Sequence, residues 1–133
     1  SKVGARLPAQ AANMGRIILA HWPRERVERL FAGAPLARVT QHTPTTPMAL
    51  RAVLDADAAE GLAWSEGHFE AGISSVAAAV FDASGAPVAA INLSGPAQPF
   101  AAQRARIGAS LRAGAEEISR RLGWTGTSRK DAA

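Results

Sequence analysis

Apolar residues recur at helical spacing through the first half of the chain. Met14, Ile17 and Ile18 predict a helix over 13–20 that turns them inward and stops at His21-Trp22-Pro23. Pro23 suits a first helical position, and Val27, Leu30 and Phe31 carry the spacing on until Gly33 and Pro35 end it. The stretch TQHTPTTP over 40–47 breaks the period, because its prolines and threonines favour extended or turn geometry. Leu50, Val53 and Leu54 then predict a helix over 48–60, with Gly61 as its C-terminal stop. Beyond it the apolar runs shorten to strand length. Residues 62–65 read as a short strand, and 73–82 and 87–94 as two longer ones joined by the turn-rich DASGAP. Helical spacing returns in Ile107, Leu111, Ala115, Ile118 and Leu122, a long helix from about residue 100 to 122 that Gly123 ends. Residues 1–123 therefore form one α+β domain with an antiparallel sheet, and 124–133 form a polar tail.

The hairpin holds a chemical question. With a four-residue connection, Asp82 faces Pro87, Ala77 faces Asn92 and Ser75 faces Ser94. Residues directly opposite share a face, so Ser75, Asn92 and Ser94 lie together with Val88 and Ala90, while Ala89, Ile91 and Leu93 take the other face. Both faces are mostly apolar, which predicts a sheet covered on both sides. Asn92 and Ser94 then need hydrogen-bond partners, since a buried polar group left alone costs about 1–3 kcal/mol. Small alanines beside them leave room for a ligand. The plainer reading is that these side chains satisfy one another or nearby backbone.

Composition narrows the function classes. The chain has 133 residues, is 47% hydrophobic with much of that alanine, and has no cysteine. That describes a single domain with a close-packed core of small residues, without disulfides or thiolate metal sites, and it favours a cytoplasmic setting. No apolar run has the length of a membrane span, and no signal peptide opens the chain. The first residue is Ser1 rather than methionine, which suggests a cut or processed fragment. The net charge of +4 is mild. Basic residues such as Arg120, Arg121, Arg129 and Lys130 are scattered without interleaved aromatics, the pattern of a solvated surface rather than of a nucleic-acid face. Ser74, Ser75, His42, His68 and Asp82 offer hydrolase chemistry in kind, but no Gly-x-Ser-x-Gly elbow presents a serine nucleophile. His68 and Glu70 could share one side of an extended segment, and two ligands are too few for a metal. Trp22 and Trp124 suit packing at element ends. Neither a catalytic set nor a metal site is expected.

Four stretches together resemble a known family. GARLPAQAANMGRIILA at 4–20, TQHTPTTPMAL at 40–50, EAGISSVAAAVFDASGAPVAAINLSGP at 70–96 and RLG at 121–123 are similar to the effector-binding domain of IclR-type bacterial transcriptional regulators. The resemblance covers nearly the whole chain. It implies a GAF/profilin-like α+β fold, a curved antiparallel sheet flanked by helices. It implies assembly as a homodimer or homotetramer, and a small-molecule effector that is a carboxylate or aromatic acid. It further implies DNA binding only through an N-terminal winged helix-turn-helix that this chain lacks, with no cofactor, no enzymatic activity and no membrane partner.

The family's ligand positions carry over individually. Backbone amides at the start of the first helix match Asn13 and Met14, where free N–H groups suit a carboxylate. The polar position of the hairpin's first strand matches Ser75, and the two alternating positions of its second strand match Asn92 and Ser94. Asparagine stands at 92 where serine is more usual, adding a donor. A position that is often acidic matches Ser65, and Gly67 and His68 stand where relatives often cluster acids. Glu70 and Gly72 keep a Glu-x-Gly spacing found in parts of the family. These departures suit a larger or less hydrophilic acid, with Trp64, Phe69 or Met14 as apolar contacts. The alternative is a GAF-like interaction and oligomerisation module whose pocket is vestigial.

Overall fold

The computed structural model describes residues 2–67 and 71–127. The chain runs through helices α1 (Asn13–Ala20), α2 (Arg24–Phe31) and α3 (Pro47–Glu60), then strands β1 (Ala63–Glu66), β2 (Ile73–Phe81) and β3 (Pro87–Pro96), and closes with α4 (Ala97–Ala102) and α5 (Arg104–Arg121). The fold is α+β, and the antiparallel sheet has the order β1-β2-β3. Phe69, His68 and Glu70 lie outside the described residues, as does the tail from 128 onward.

Local chemistry accounts for the element ends. Thr46 caps α3 by accepting the amide of Ala49 at 3.1 Å, and Pro47 opens the helix where its missing N–H costs nothing. Gly61 ends α3 at φ 74°, a left-handed conformation that a side chain resists. In the hairpin, Asp82 Oδ1 accepts the amides of Ser84 and Ala86, which folds the turn.

The β2–β3 register pairs Ser75 with Ser94 and Ala77 with Asn92, as the turn length predicts. Nearer the turn the expectation fails by one residue. Phe81, not Asp82, faces Pro87, because the register shifts between Val80 and Phe81. The Phe81 amide, released from the ladder, donates to Ser119 Oγ of α5 at 2.9 Å.

Each sheet face has its own core. Ile17, Leu19 and Ala20 of α1 and Leu50 and Leu54 of α3 pack with Ala63, Ala77, Ala79 and Phe81. On the other face, Val76, Ala78 and Val80 meet Phe100 of α4 and Leu111 and Ala115 of α5. Four expectations need correction. Met14 is exposed rather than inward, and Leu30, which continues the helical spacing, is exposed too. The long C-terminal helix is two helices, broken at Gln103. Ile118 and Leu122 face solvent while Gly108 and Ser119 are buried, so the buried stripe of α5 is rotated. A Cβ at Gly108 would lie 2.9 Å from Leu62 Cδ1, so glycine lets α5 approach the sheet along this line. Finally, β3 is not covered on both sides. It is the sheet edge, and Asn92, Leu93 and Ser94 are exposed. Packing continues past Gly123, since Trp124 stacks on Phe81 with ring centroids 5.3 Å apart.

Candidate functional site

Helix α1 begins beside the open part of the sheet. No side chain caps its first turn, because the preceding residue is Ala12. The segment ahead of it folds back tightly, and a Cβ on Gly15 would meet the Ala9 backbone at 2.6 Å. This close approach holds the start of α1 in place, with Asn13 buried and aimed at the strands.

Four of the residues singled out from sequence meet there in one hydrogen-bonded chain. Ser94 Oγ donates to Asn92 Oδ1 at 2.8 Å. Asn92 Nδ2 donates to Asn13 Oδ1 at 3.1 Å. Asn13 Nδ2 donates to Ser75 Oγ at 2.9 Å. The chain thus runs from the edge strand across the helix start to the central strand. Each asparagine amide uses one N–H and its oxygen, which leaves a second N–H on each for another partner. Asn13 is 6% exposed, Ser75 is half-buried, and Asn92 and Ser94 are open to solvent. Ser65 is buried and lies directly across from Ser75 on β1, completing a polar strip over three strands.

The remaining candidates fall elsewhere. Met14 stands in the first turn of α1 and is 41% exposed. Trp64 is a correction. It pairs with Val76, whereas Ser65 pairs with Ser75, so strand alternation sends the indole to the opposite face. There it meets Phe100 edge-on at 5.9 Å and lies under the Arg104 guanidinium. Its indole N–H donates to Glu60 Oε1 at 2.7 Å.

Directly behind the network is a pair that sequence reading missed. One turn along α1 from Asn13, Arg16 grips Asp57 of α3 with two bonds, Nη2 to Oδ1 at 2.9 Å and Nε to Oδ2 at 3.1 Å. Its Nη1 donates to the Trp64 carbonyl at 3.2 Å, so one guanidinium joins α1, α3 and β1. Both side chains are 10% exposed. Burial raises the Asp57 carboxyl above its ordinary value, against the lowering pull of Arg16. One signal was available. Arg16 and Asp57 occupy inward positions of their helices, three residues from Asn13 and from Leu54.

These groups can hold and orient a small polar ligand at a helix start. Among the described residues, no group of three His, Cys, Asp or Glu side chains could hold a metal ion.

Comparison with known proteins bears on this arrangement. Residues 1–120 match the family described as bacterial transcriptional regulator IclR, C-terminal. The HTH-type transcriptional regulator KdgR of Escherichia coli K12 is 30% identical over 125 residues, 93% of this chain and 48% of that protein. The chain therefore spans about half the length of this relative. The crystal structure of the KdgR C-terminal domain superposes with a TM-score of 0.81 at 30% identity, covering 91% of this chain and 74% of that one. The inducer binding domain of PobR from Acinetobacter, a double mutant in complex with 3-hydroxybenzoic acid, superposes with a TM-score of 0.76 at 28% identity, covering 90% and 72%. These relatives are named as transcriptional regulators, not enzymes. The chain belongs to the IclR family of bacterial transcriptional regulators, and it corresponds to the C-terminal domain of its members.

Proposed function

We propose that this domain senses a small organic or aromatic carboxylate and passes its presence to a DNA-binding domain elsewhere in a regulator that works in the cytoplasm. The observation that carries the reading is the Ser94–Asn92–Asn13–Ser75 chain at the uncapped start of α1. A carboxylate there meets unpaired helix amides and the positive end of the α1 dipole, while Asn92 and Ser94 fix the rest of the ligand. The complex of the similar PobR domain with 3-hydroxybenzoic acid supports an acid of this size. The domain also assembles with copies of itself, through the exposed apolar side chains that Ile73, Val88 and Leu93 present on the sheet and Ile118 and Leu122 on α5.

A second reading has its place because the four side chains already bond to one another. In it the network is a clasp, the pocket is vestigial, and the domain serves oligomerisation alone. Thermal unfolding with 3-hydroxybenzoate and a panel of small acids separates the two. Binding to the folded state alone raises the midpoint as ligand exceeds its Kd. A midpoint unmoved across the whole panel rejects sensing and leaves the clasp.

A further inference from the structure

Along the β1 edge of the sheet, on the face opposite the network, a groove of about 440 Å³ runs between β1 and the first half of α5. Its floor is apolar. Leu62, just ahead of β1, and the Trp64 ring meet α5 at Gly108, where a Cβ would lie 2.9 Å from Leu62 Cδ1 and 3.2 Å from Trp64 Cζ2. Ala101 of α4 and Ala105 of α5 add only methyl groups, so the walls leave room. Volume and lining suit a small molecule with an apolar body. None of Asn13, Ser75, Asn92 or Ser94 lines the groove.

Charges stand at both of its ends. Arg104, Gly108 and Arg112 follow one another at four-residue spacing, so the two arginines mark one line of α5 about 12 Å long. Arg104 already has its anion. Its Nη1 donates to Glu66 Oε1 at 2.9 Å, and its guanidinium lies 3.9 Å from the centre of the Trp64 ring. The other end differs. Arg112 Nη1 donates to the main-chain carbonyl of Glu60 at 3.0 Å, and Glu60 Oε1 accepts the indole N–H of Trp64 at 2.7 Å. Both of those partners are neutral. A cation and an anion therefore stand exposed at one end of the groove, and neither forms an ion pair with the other or with any described residue. Helix α3 also ends here, and the negative end of its dipole adds to the attraction for a cation.

We propose that this groove binds a free α-amino acid with an apolar side chain. The carboxylate sits on Arg112, whose fork matches a pair of oxygens. The ammonium sits on Glu60, and the side chain covers Trp64 and the gap at Gly108. No existing bond has to break, since Arg112 keeps further N–H groups and Glu60 its second oxygen. The two opposite charges select a zwitterion over a plain acid, so the inference stands independently of the ligand proposed at the start of α1.

L-phenylalanine is the probe, titrated into the chain to about 10 mM, beyond the weak-affinity range of ~1 mM, while NMR follows the backbone amides and the Trp64 indole N–H. Saturable shifts are expected at that indole and at Ala105, Gly108 and Arg112. 3-Phenylpropionate lacks the ammonium and 2-phenylethylamine lacks the carboxylate, and each should bind the unaltered chain about tenfold more weakly. Glu60→Gln keeps an acceptor for Trp64 and removes the charge. It should weaken L-phenylalanine about tenfold and leave 3-phenylpropionate unchanged. Arg112→Met should weaken both acids and leave 2-phenylethylamine unchanged. Shifts confined to Asn13, Asn92 and Ser94, or none that saturate, would overturn the groove as a site and leave the other site standing. Either analogue binding as tightly as L-phenylalanine, or an affinity for it unchanged in Glu60→Gln, would overturn the pairing of the two charges.

Discussion

Strand β2 faces two different interiors. Toward α5 it presents Val76, Ala78 and Val80, and the single buried polar side chain of that helix, Ser119, both donates and accepts. Ser119 Oγ donates to the Ala115 carbonyl one turn back and accepts the Phe81 amide at the register shift. Toward α1 the strand presents Ala77 and Ala79, and polar groups gather beside them. Asn13 bonds to Ser75, Asn92 bonds to Asn13, and Arg16 bonds to Asp57, each pair far apart in sequence. On the first face a hydroxyl answers a backbone amide at an irregularity, and on the second, side chains bond to side chains and join α1 to α3, β2 and β3. An added ligand would therefore find little to exchange with on the α5 face. On the α1 face it could exchange with bonds that position a helix, and that helix also carries Arg16.

Breaking the ion pair tests this difference most severely. Asp57→Ala leaves the buried Arg16 charge unpaired and should destabilise the chain by about 3–5 kcal/mol in urea unfolding. Arg16→Met combined with Asp57→Leu should recover most of that loss, because two apolar side chains replace two desolvated charges. If the double variant is as unstable as the single one, the pair does more than satisfy itself. The α5 face should respond less. Ser119→Ala strands the Phe81 amide in an apolar setting, at a cost of about 1–3 kcal/mol. Ligand affinity at the α1 site should be unchanged in Ser119→Ala, and a loss there would show that the two faces are coupled.

A smaller effect appears in the pH dependence. Burial raises the Asp57 carboxyl above 3.8, so the folded chain binds this proton more tightly than the unfolded chain does. Its contribution to stability is then fully present below 3.8 and is lost as pH rises through the raised value. Asp57→Asn removes this titration. The stability of the wild type minus that of Asp57→Asn should fall between about pH 3 and about pH 6, where carboxyls titrate. A difference that rises instead would mean that the attraction of Arg16 outweighs desolvation.

The same contrast explains what was legible in the chain. Strand alternation and turn length placed Ser75, Asn92 and Ser94 on one face, because those signals are local. The shift at Phe81 was hidden, since the bond that favours it comes from Ser119, thirty-eight residues away. The buried stripe of α5 is not legible from apolar spacing, because Gly108 and Ser119 do not read as apolar, although one permits close approach and the other is fully bonded. Trp64 suits an apolar acid by its chemistry, but it neighbours Ser65 on β1, and neighbours on a strand point to opposite faces. The Arg16–Asp57 partnership spans forty-one residues, so only the inward helical positions of the two charges hinted at it.

Asn92 gives the smallest expected loss of stability and the sharpest reading of function. Its side chain is exposed, donates one bond to Asn13 and accepts one from Ser94. In Asn92→Ala, water can reach the oxygen that Asn92 leaves behind, so the stability cost should stay at or below about 1 kcal/mol. The shape of the site should survive, because Ala77 opposite and Ala90 on the same face are already alanines and Asn13 keeps its bond to Ser75. Binding should respond far more. If Asn92 orients a carboxylate ligand held at the start of α1, its loss removes a directional partner in a partly desolvated place. Affinity for the acid that raises the wild-type midpoint should then drop by one to two decades, about 1–3 kcal/mol. A structural clasp predicts the reverse order, a clear fall in the ligand-free midpoint with affinity nearly unchanged in the folded fraction. Calorimetric unfolding with and without that acid gives both quantities on one variant. Lost stability with retained affinity would assign the network to the clasp and make the α1 face as purely structural as the α5 face.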